Sequence, residues 1–138
     1  MNIVQPVLPD ARVLDLFAGS GALGIEALSR GARNARFIDI DQRSLQAVRD
    51  NIDSLGAADR AEVTRADALV YAASLPTDDY DIVFADPPYA TDAAARLAEL
   101  WLARPFSTVI GIEHVRSAAM PGGGDFRRYG DSCITFYR

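Results

Sequence analysis

Short apolar runs alternate with amphipathic stretches along this chain. The runs Val13–Phe17, Arg36–Ile40, Glu62–Arg65, Tyr80–Ala85 and Thr108–Glu113 have the length and residue types of buried strands. Between them, Ala22–Arg30, Gln42–Leu55, Ala68–Ser74 and Asp92–Ala103 read as helices. In Gln42–Leu55 the apolar residues Leu45, Val48 and Ile52 recur at spacings of three and four, which puts them on one helix face. Asp41 is suited to cap that helix and Gly56 to end it. Gly122, Gly123 and Gly124 form a loop, after which Phe126–Tyr129 and Cys133–Tyr137 read as two strands around a Gly130–Asp131 turn. Strand–helix alternation at this spacing implies right-handed crossovers. The expected fold is therefore α/β in three layers, a mostly parallel sheet between helices that ends in an antiparallel β-hairpin. Ligands of such sheets sit at the carboxyl ends of the strands, where strand order reverses.

Composition narrows the chemistry. At 138 residues, with 49% hydrophobic and 24% charged residues, the chain fits one globular domain spanning 1–138. No apolar run approaches a membrane span and no signal pattern opens the chain, so a cytoplasmic, membrane-free monomer is expected. All 14 basic residues are arginine, which excludes a Walker-type phosphate loop and Schiff-base catalysis. One cysteine and one histidine exclude a disulfide, a redox pair and a multi-histidine metal site, and no metal is expected. The net charge of −5 argues against strong nucleic-acid binding by this chain alone. Arg127, Arg128 and Arg138 form a local basic cluster, and Asp78, Asp79 and Asp81 an acidic one.

Two motifs carry chemistry. The first, Val13-Leu14-Asp15-Leu16-Phe17-Ala18-Gly19-Ser20-Gly21-Ala22-Leu23-Gly24, places a glycine loop between a strand and a helix. Gly19 and Gly21 let the backbone approach a ligand closely. Asp39 ends the next strand, where a carboxylate can accept both hydroxyls of a ribose. Together they imply a nucleoside-containing cofactor. Asp15, so near the glycines, would repel a pyrophosphate but suit an ammonium group, which favours S-adenosylmethionine over a dinucleotide. The alternative role for Asp15 is to structure the loop. The second motif is Asp86-Pro87-Pro88-Tyr89, after the apolar strand Ile82-Val83-Phe84-Ala85. The prolines fix the turn and remove two N–H groups. That leaves carbonyls and the Asp86 carboxylate as acceptors for a nucleobase amine, with the Tyr89 ring to stack on the base.

These segments resemble the class I S-adenosylmethionine-dependent methyltransferases. Within them, residues 13–33, the motif at 86–89 and the ending Arg128-Tyr129-Gly130-Asp131 are similar to the bacterial 16S rRNA guanine-N2 methyltransferase family. The resemblance implies a Rossmann-like methyltransferase fold and transfer of a methyl group to a guanine N2 amine. It assigns Asp15, Gly19 and Gly21 to the methionine end of the cofactor and Asp39 to the ribose. Ile40 would pack on adenine, and Asp67 with Ala68 would bond the adenine edge, although Asp67 also suits a helix cap. Asp86, Pro87 and Tyr89 become the catalytic residues, and rRNA or an assembling small subunit the partner. Members of that family carry several dozen residues before the first strand, whereas only Met1–Asp10 precede it here. The chain thus reads as a catalytic core cut from a longer protein, or a natural short form.

The Asp-Pro-Pro-Tyr type is shared with adenine-N6 enzymes, which keeps DNA or RNA adenine methylation open. A cofactor-binding core without turnover and a nicotinamide oxidoreductase are the readings from other classes. Cys133 and Trp101 are expected in the core. His114 is expected to be structural, and Arg127 and Arg128 either to meet phosphate or to be solvated.

Overall fold

The computed structural model describes residues 3–130 and 132–138. Seven strands form one sheet in the order β3-β2-β1-β4-β5-β7-β6. In chain order the elements are β1 (Arg12–Leu16), α1 (Ala22–Ser29), β2 (Asn34–Asp39), α2 (Gln42–Leu55), β3 (Ala61–Arg65), α3 (Ala68–Ala73), β4 (Tyr80–Ala85), α4 (Ala93–Ala103), β5 (Ser107–His114), β6 (Asp125–Tyr129) and β7 (Ser132–Tyr137). Strands β1 to β5 pair in parallel, and β7 is antiparallel to both β5 and β6. The expected α/β sheet with a closing hairpin is therefore present. Its turn falls in part on Asp131, outside the described residues.

Right-handed crossovers decide which face each helix covers. The chain runs from β1 outward to β3 through α1 and α2, so both helices pack on one face. Ala27 and Leu28 of α1 and Val48 and Ile52 of α2 meet Val13, Phe37 and Phe84 there. It then returns past β1 to β4 and β5 through α3 and α4, which cover the opposite face. Ala68, Ala72, Leu97 and Trp101 meet Leu14, Val83 and Ile110 on that side. Trp101 is anchored by its indole N–H, which donates to Ser107 Oγ at 2.9 Å.

Local chemistry sets the element ends. Asp41 accepts the Arg43 N–H at 3.2 Å, and Gly56 closes α2 at φ 72°. At α4 the expected start at Asp92 is not a side-chain cap; the Thr91 hydroxyl accepts the Ala93 N–H instead, at 3.2 Å. Before β1, Gln5–Val7 forms a 3-10 turn, and Val4 and Leu8 on its flanks are fully buried against the α1 side of the core. The sequence pattern gave no hint of that turn. At the amino ends of the central strands, the Arg12 guanidinium bonds both carboxylate oxygens of Asp81, tying β1 to β4.

One close approach fixes α1 to the sheet. A Cβ on Gly24 would overlap the Phe37 ring and come within 3.1 Å of Asp15 Oδ2. Gly24→Ala should therefore destabilise the fold by about 1–3 kcal/mol, despite alanine's better helix propensity. Urea unfolding followed by circular dichroism checks this.

Candidate active site

The carboxyl ends of β3, β2, β1, β4 and β5 form one edge, and their pairing continues into the loops. Ala66 N–H donates to Asp39 O at 3.1 Å, Ala18 N–H to Ile38 O at 3.0 Å, and Asp86 N–H to Leu16 O at 3.3 Å. These bonds bring the loops carrying Asp67, Asp39, Gly19 and Asp86 side by side. The strand order reverses between β1 and β4, so the glycine loop and Asp86 face each other across the crevice.

The glycine loop turns through left-handed backbone. Phe17 has φ 53°, Gly19 58° and Gly21 78°. A bulky residue rarely holds such a φ, so strain is stored where β1 ends, one residue earlier than expected. Asn51 on α2 braces the loop, its side-chain N–H donating to Ser20 O at 3.0 Å. The position that a Cβ on Gly19 would take is open, with nothing within 4 Å.

Asp39 is half-buried and clamps this loop to the end of β2. Its Oδ2 accepts the Gly19 N–H and its Oδ1 the Asp41 N–H, both at 2.9 Å. Each oxygen keeps a further lone pair for a ligand hydroxyl. Ile40, expected as the last residue of β2, lies beyond it and leaves its apolar side chain 60% exposed. The Arg65 guanidinium holds the Ile40 carbonyl at 2.9 Å. Asp67 accepts the Val70 N–H at 3.1 Å and caps α3, and Ala68 behind it is buried.

Asp15 departs from expectation. Its side chain points inward, 3% exposed, and Oδ2 accepts the Gly24 N–H at 3.1 Å. Burial pushes its carboxyl up to about 8; the Gly24 N–H opposes this, while the charges of Asp86 and Asp39 add to it. Burial thus works against the charged form that the ammonium argument needs. Asp15 structures the loop. That it feels both Asp39 and Asp86 nevertheless shows the three carboxyls converging.

Pro87 is buried, whereas Asp86 and Tyr89 are exposed at the rim. The Asp86 carboxyl is pushed up to about 6, first by lost hydration and then by the Glu113 carboxylate beside it. Tyr89 is 50% exposed, and its Oη donates to Glu113 Oε1 at 3.3 Å. The Tyr89 phenol is held above its ordinary value: a bond with Ser132 lowers it, but burial, Glu113 and Asp86 outweigh that. Thr91 Oγ1 donates to Pro88 O at 2.9 Å and fixes the turn. Glu113 is thus a member of the site that no motif announced. The only signal was an acidic residue at the carboxyl end of an apolar strand.

Other features lie apart. His114 is buried between Thr135 and the Val115 carbonyl and is structural, and Cys133 is core. Arg127 pairs with Asp125. A concavity of about 630 Å³ lies at the amino ends of the strands, away from the glycine loop. Its arginines are engaged: Arg12 by Asp81, Arg36 by Glu62, and Arg60 by backbone carbonyls.

This strand order, with a glycine loop at the reversal and an antiparallel hairpin at one edge, is the Rossmann-like fold of the class I methyltransferases. The family described as Conserved hypothetical protein 95 matches residues 1–138, and the chain belongs to it. Over 88 residues it is 44% identical to ribosomal RNA small subunit methyltransferase D of Escherichia coli K12, covering 64% of this chain and 43% of that protein. A conserved hypothetical protein of Streptococcus pyogenes superposes with a TM-score of 0.85 at 31% identity, over 99% of this chain and 90% of that one. An RNA methyltransferase from Salinibacter ruber, solved with S-adenosyl-L-homocysteine, shares the fold with a TM-score of 0.74 at 14% identity, over 99% and 86% of the chains. The chain spans about half the length of the curated relatives it matches. The resemblance read from residues 13–33, 86–89 and 128–131 is borne out at the level of the family.

The placement of Asp15 makes a stability test. Its folded pKa is raised, so the folded state binds a proton that the unfolded state releases. Stability should be greatest near pH 4 and fall as pH rises to about 8. Asp15→Asn should match the native chain near pH 4 and exceed it at pH 8 by on the order of 10 °C or more in melting temperature. Paired thermal melts across that range would show it; parallel curves would refute the burial argument.

Proposed function

We propose that this chain is the catalytic core of an S-adenosylmethionine-dependent methyltransferase acting on the exocyclic N2 amine of a guanine in small-subunit rRNA. The observation that carries this reading is the convergence of the glycine loop, Asp39 and the Asp86–Tyr89 turn on one crevice at the strand reversal. Relatives named as ribosomal RNA small subunit methyltransferases support small-subunit rRNA as the substrate class; an assembling subunit is the particle that would present it.

The residues present fit the cofactor. The open side of Gly19 leaves room for close approach to backbone. Asp39, oriented by two backbone donors, retains lone pairs for ribose hydroxyls. The exposed Ile40 offers an apolar surface for a flat ring. Asp67 and Ala68, at the start of α3, would serve the ring's polar edge. Gly21 shapes the loop and Asp15 acts through it. When bound, S-adenosylmethionine supplies a methyl group on a positively charged sulfur.

The chain's own groups act on the acceptor. A nucleobase amine is a poor nucleophile because its lone pair is delocalised into the ring. Asp86 and the Pro87 carbonyl, by accepting its N–H bonds, favour the pyramidal amine of the transition state. Tyr89 stacks on a base swung out of the RNA. A carboxyl whose proton affinity is raised to about 6 is suited to receive the proton the amine sheds.

Labelled methyl incorporation into rRNA or small subunits, followed by digestion to nucleosides, tests the function. N2-methylguanosine is expected, and N6-methyladenosine as the sole product would overturn the assignment. Asp86→Ala should lower kcat by roughly a hundredfold or more with S-adenosylhomocysteine affinity kept. Asp39→Ala should instead weaken that affinity by about tenfold or more. The native kcat/KM should fall on the acid side of pH 6, where Asp86 protonates.

A further inference from the structure

Beside the Asp86 turn lies a cavity of about 220 Å³ whose lining includes none of the residues assigned to the cofactor. Leu23 of α1, Phe84 of β4, Gly111 of β5 and Ile134 and Phe136 of β7 line it, with Tyr129 at the side. Its walls are almost wholly apolar, and Glu113 is the one charged residue among them. Gly111 lets the Phe136 ring lie flat on the sheet as one wall: a Cβ there would come within 2.7 Å of that ring. The cavity is smaller than the roughly 300–1,000 Å³ of most ligand pockets, a size for one flat base rather than a nucleotide.

Glu113 stands opposite Ile134 in the β5–β7 register. It is half-buried, beside the Asp86 carboxyl, and is held by the Tyr89 hydroxyl at 3.3 Å. Glu113, a wall of the apolar slot, thus stands next to a second acceptor, Asp86, which follows the lining residue Ala85. A base that satisfies both must present two adjacent donors on one edge. Guanine does so with N1–H and the N2 amine. Adenine presents an amine beside an unprotonated N1, whose lone pair would face a carboxylate. Leaving a half-buried carboxylate against a lone pair is costly, so the arrangement rejects adenine as well as accepting guanine.

Resting on the guanine reading above, we propose that Glu113 is the residue that selects the base: it accepts N1–H of a guanine seated in this cavity, while Asp86 and the Pro87 carbonyl take the N2 amine. The relevant contrast is 2-aminopurine, which keeps the amine but has an acceptor at N1.

The test is binding of guanosine 5′-monophosphate and 2-aminopurine riboside 5′-monophosphate to the whole chain with S-adenosylhomocysteine present. NMR titration of the Ile134 methyl and Tyr129 ring signals is the readout. The native chain should prefer the guanine nucleotide by about tenfold or more. Glu113→Gln, whose amide can donate to an N1 acceptor, should bring the ratio to near one or reverse it. Ile134→Trp, which fills the slot and leaves Glu113 in place, should abolish the shifts at Tyr129. An unchanged preference in Glu113→Gln would overturn the proposal, as would guanine-nucleotide binding that leaves Ile134 and Tyr129 unmoved or the absence of any binding. These outcomes are read without turnover. Failure of the rRNA reading would show separately, as the wrong methylated nucleoside in the labelling experiment.

Discussion

The molecule depends on β1 having neighbours reached by opposite paths, β2 on one side and β4 on the other. Parallel pairing aligns all the central strands, so every carboxyl end falls on one edge. Because the chain leaves β1 in one direction and returns in the other, no crossover covers the space between the loops after β1 and β4. The crevice is a consequence of topology before any side chain is considered. Side chains then decide what it can hold. The hydrogen bonds from the Gly19 N–H to Asp39 Oδ2 and from the Asp86 N–H to Leu16 O lock three loops into one wall.

Charge is the second theme of that wall. Asp15, Asp39, Asp86 and Glu113 are packed near one another without a lysine anywhere in the chain, and no arginine pairs with any of the four among the described contacts. The arginines are spent elsewhere, tying Arg12 to Asp81 and Arg33 to Asp10. A site so acidic suits a cation and a donor-rich base; burial first, and neighbouring carboxylates after it, raise the proton affinities of Asp15 and Asp86.

Much of this was legible in the residues. Gln42–Leu55 and Tyr80–Ala85 have the bounds that periodicity and flanking residues suggest, because a capped amphipathic helix and a long apolar run admit little else. The glycine loop was legible because left-handed backbone demands particular residues. Three things were not. Phe17 reads as strand but turns, since strain imposed by the loop overrides its propensity. Asp15 reads as a charged ligand but is buried, because inward or outward orientation depends on which sheet face α1 covers. Glu113 lies 27 positions from Asp86 in sequence, and only the β4–β5 register, Ala85 opposite Ile112, brings them together.

The hairpin edge has a consequence for solubility. Among the described residues strand β6 pairs only with β7, so its outer backbone donors and acceptors offer a template to any foreign strand. Its five residues are short for such a template and carry Asp125, Arg127 and Arg128, with Arg138 close by at 3.8 Å from Asp125. An incoming copy would have to strip water from these charges before gaining a single ladder bond. The charges thus oppose edge-to-edge pairing at a margin where the aromatic rings of Phe126 and Tyr129 stand uncovered.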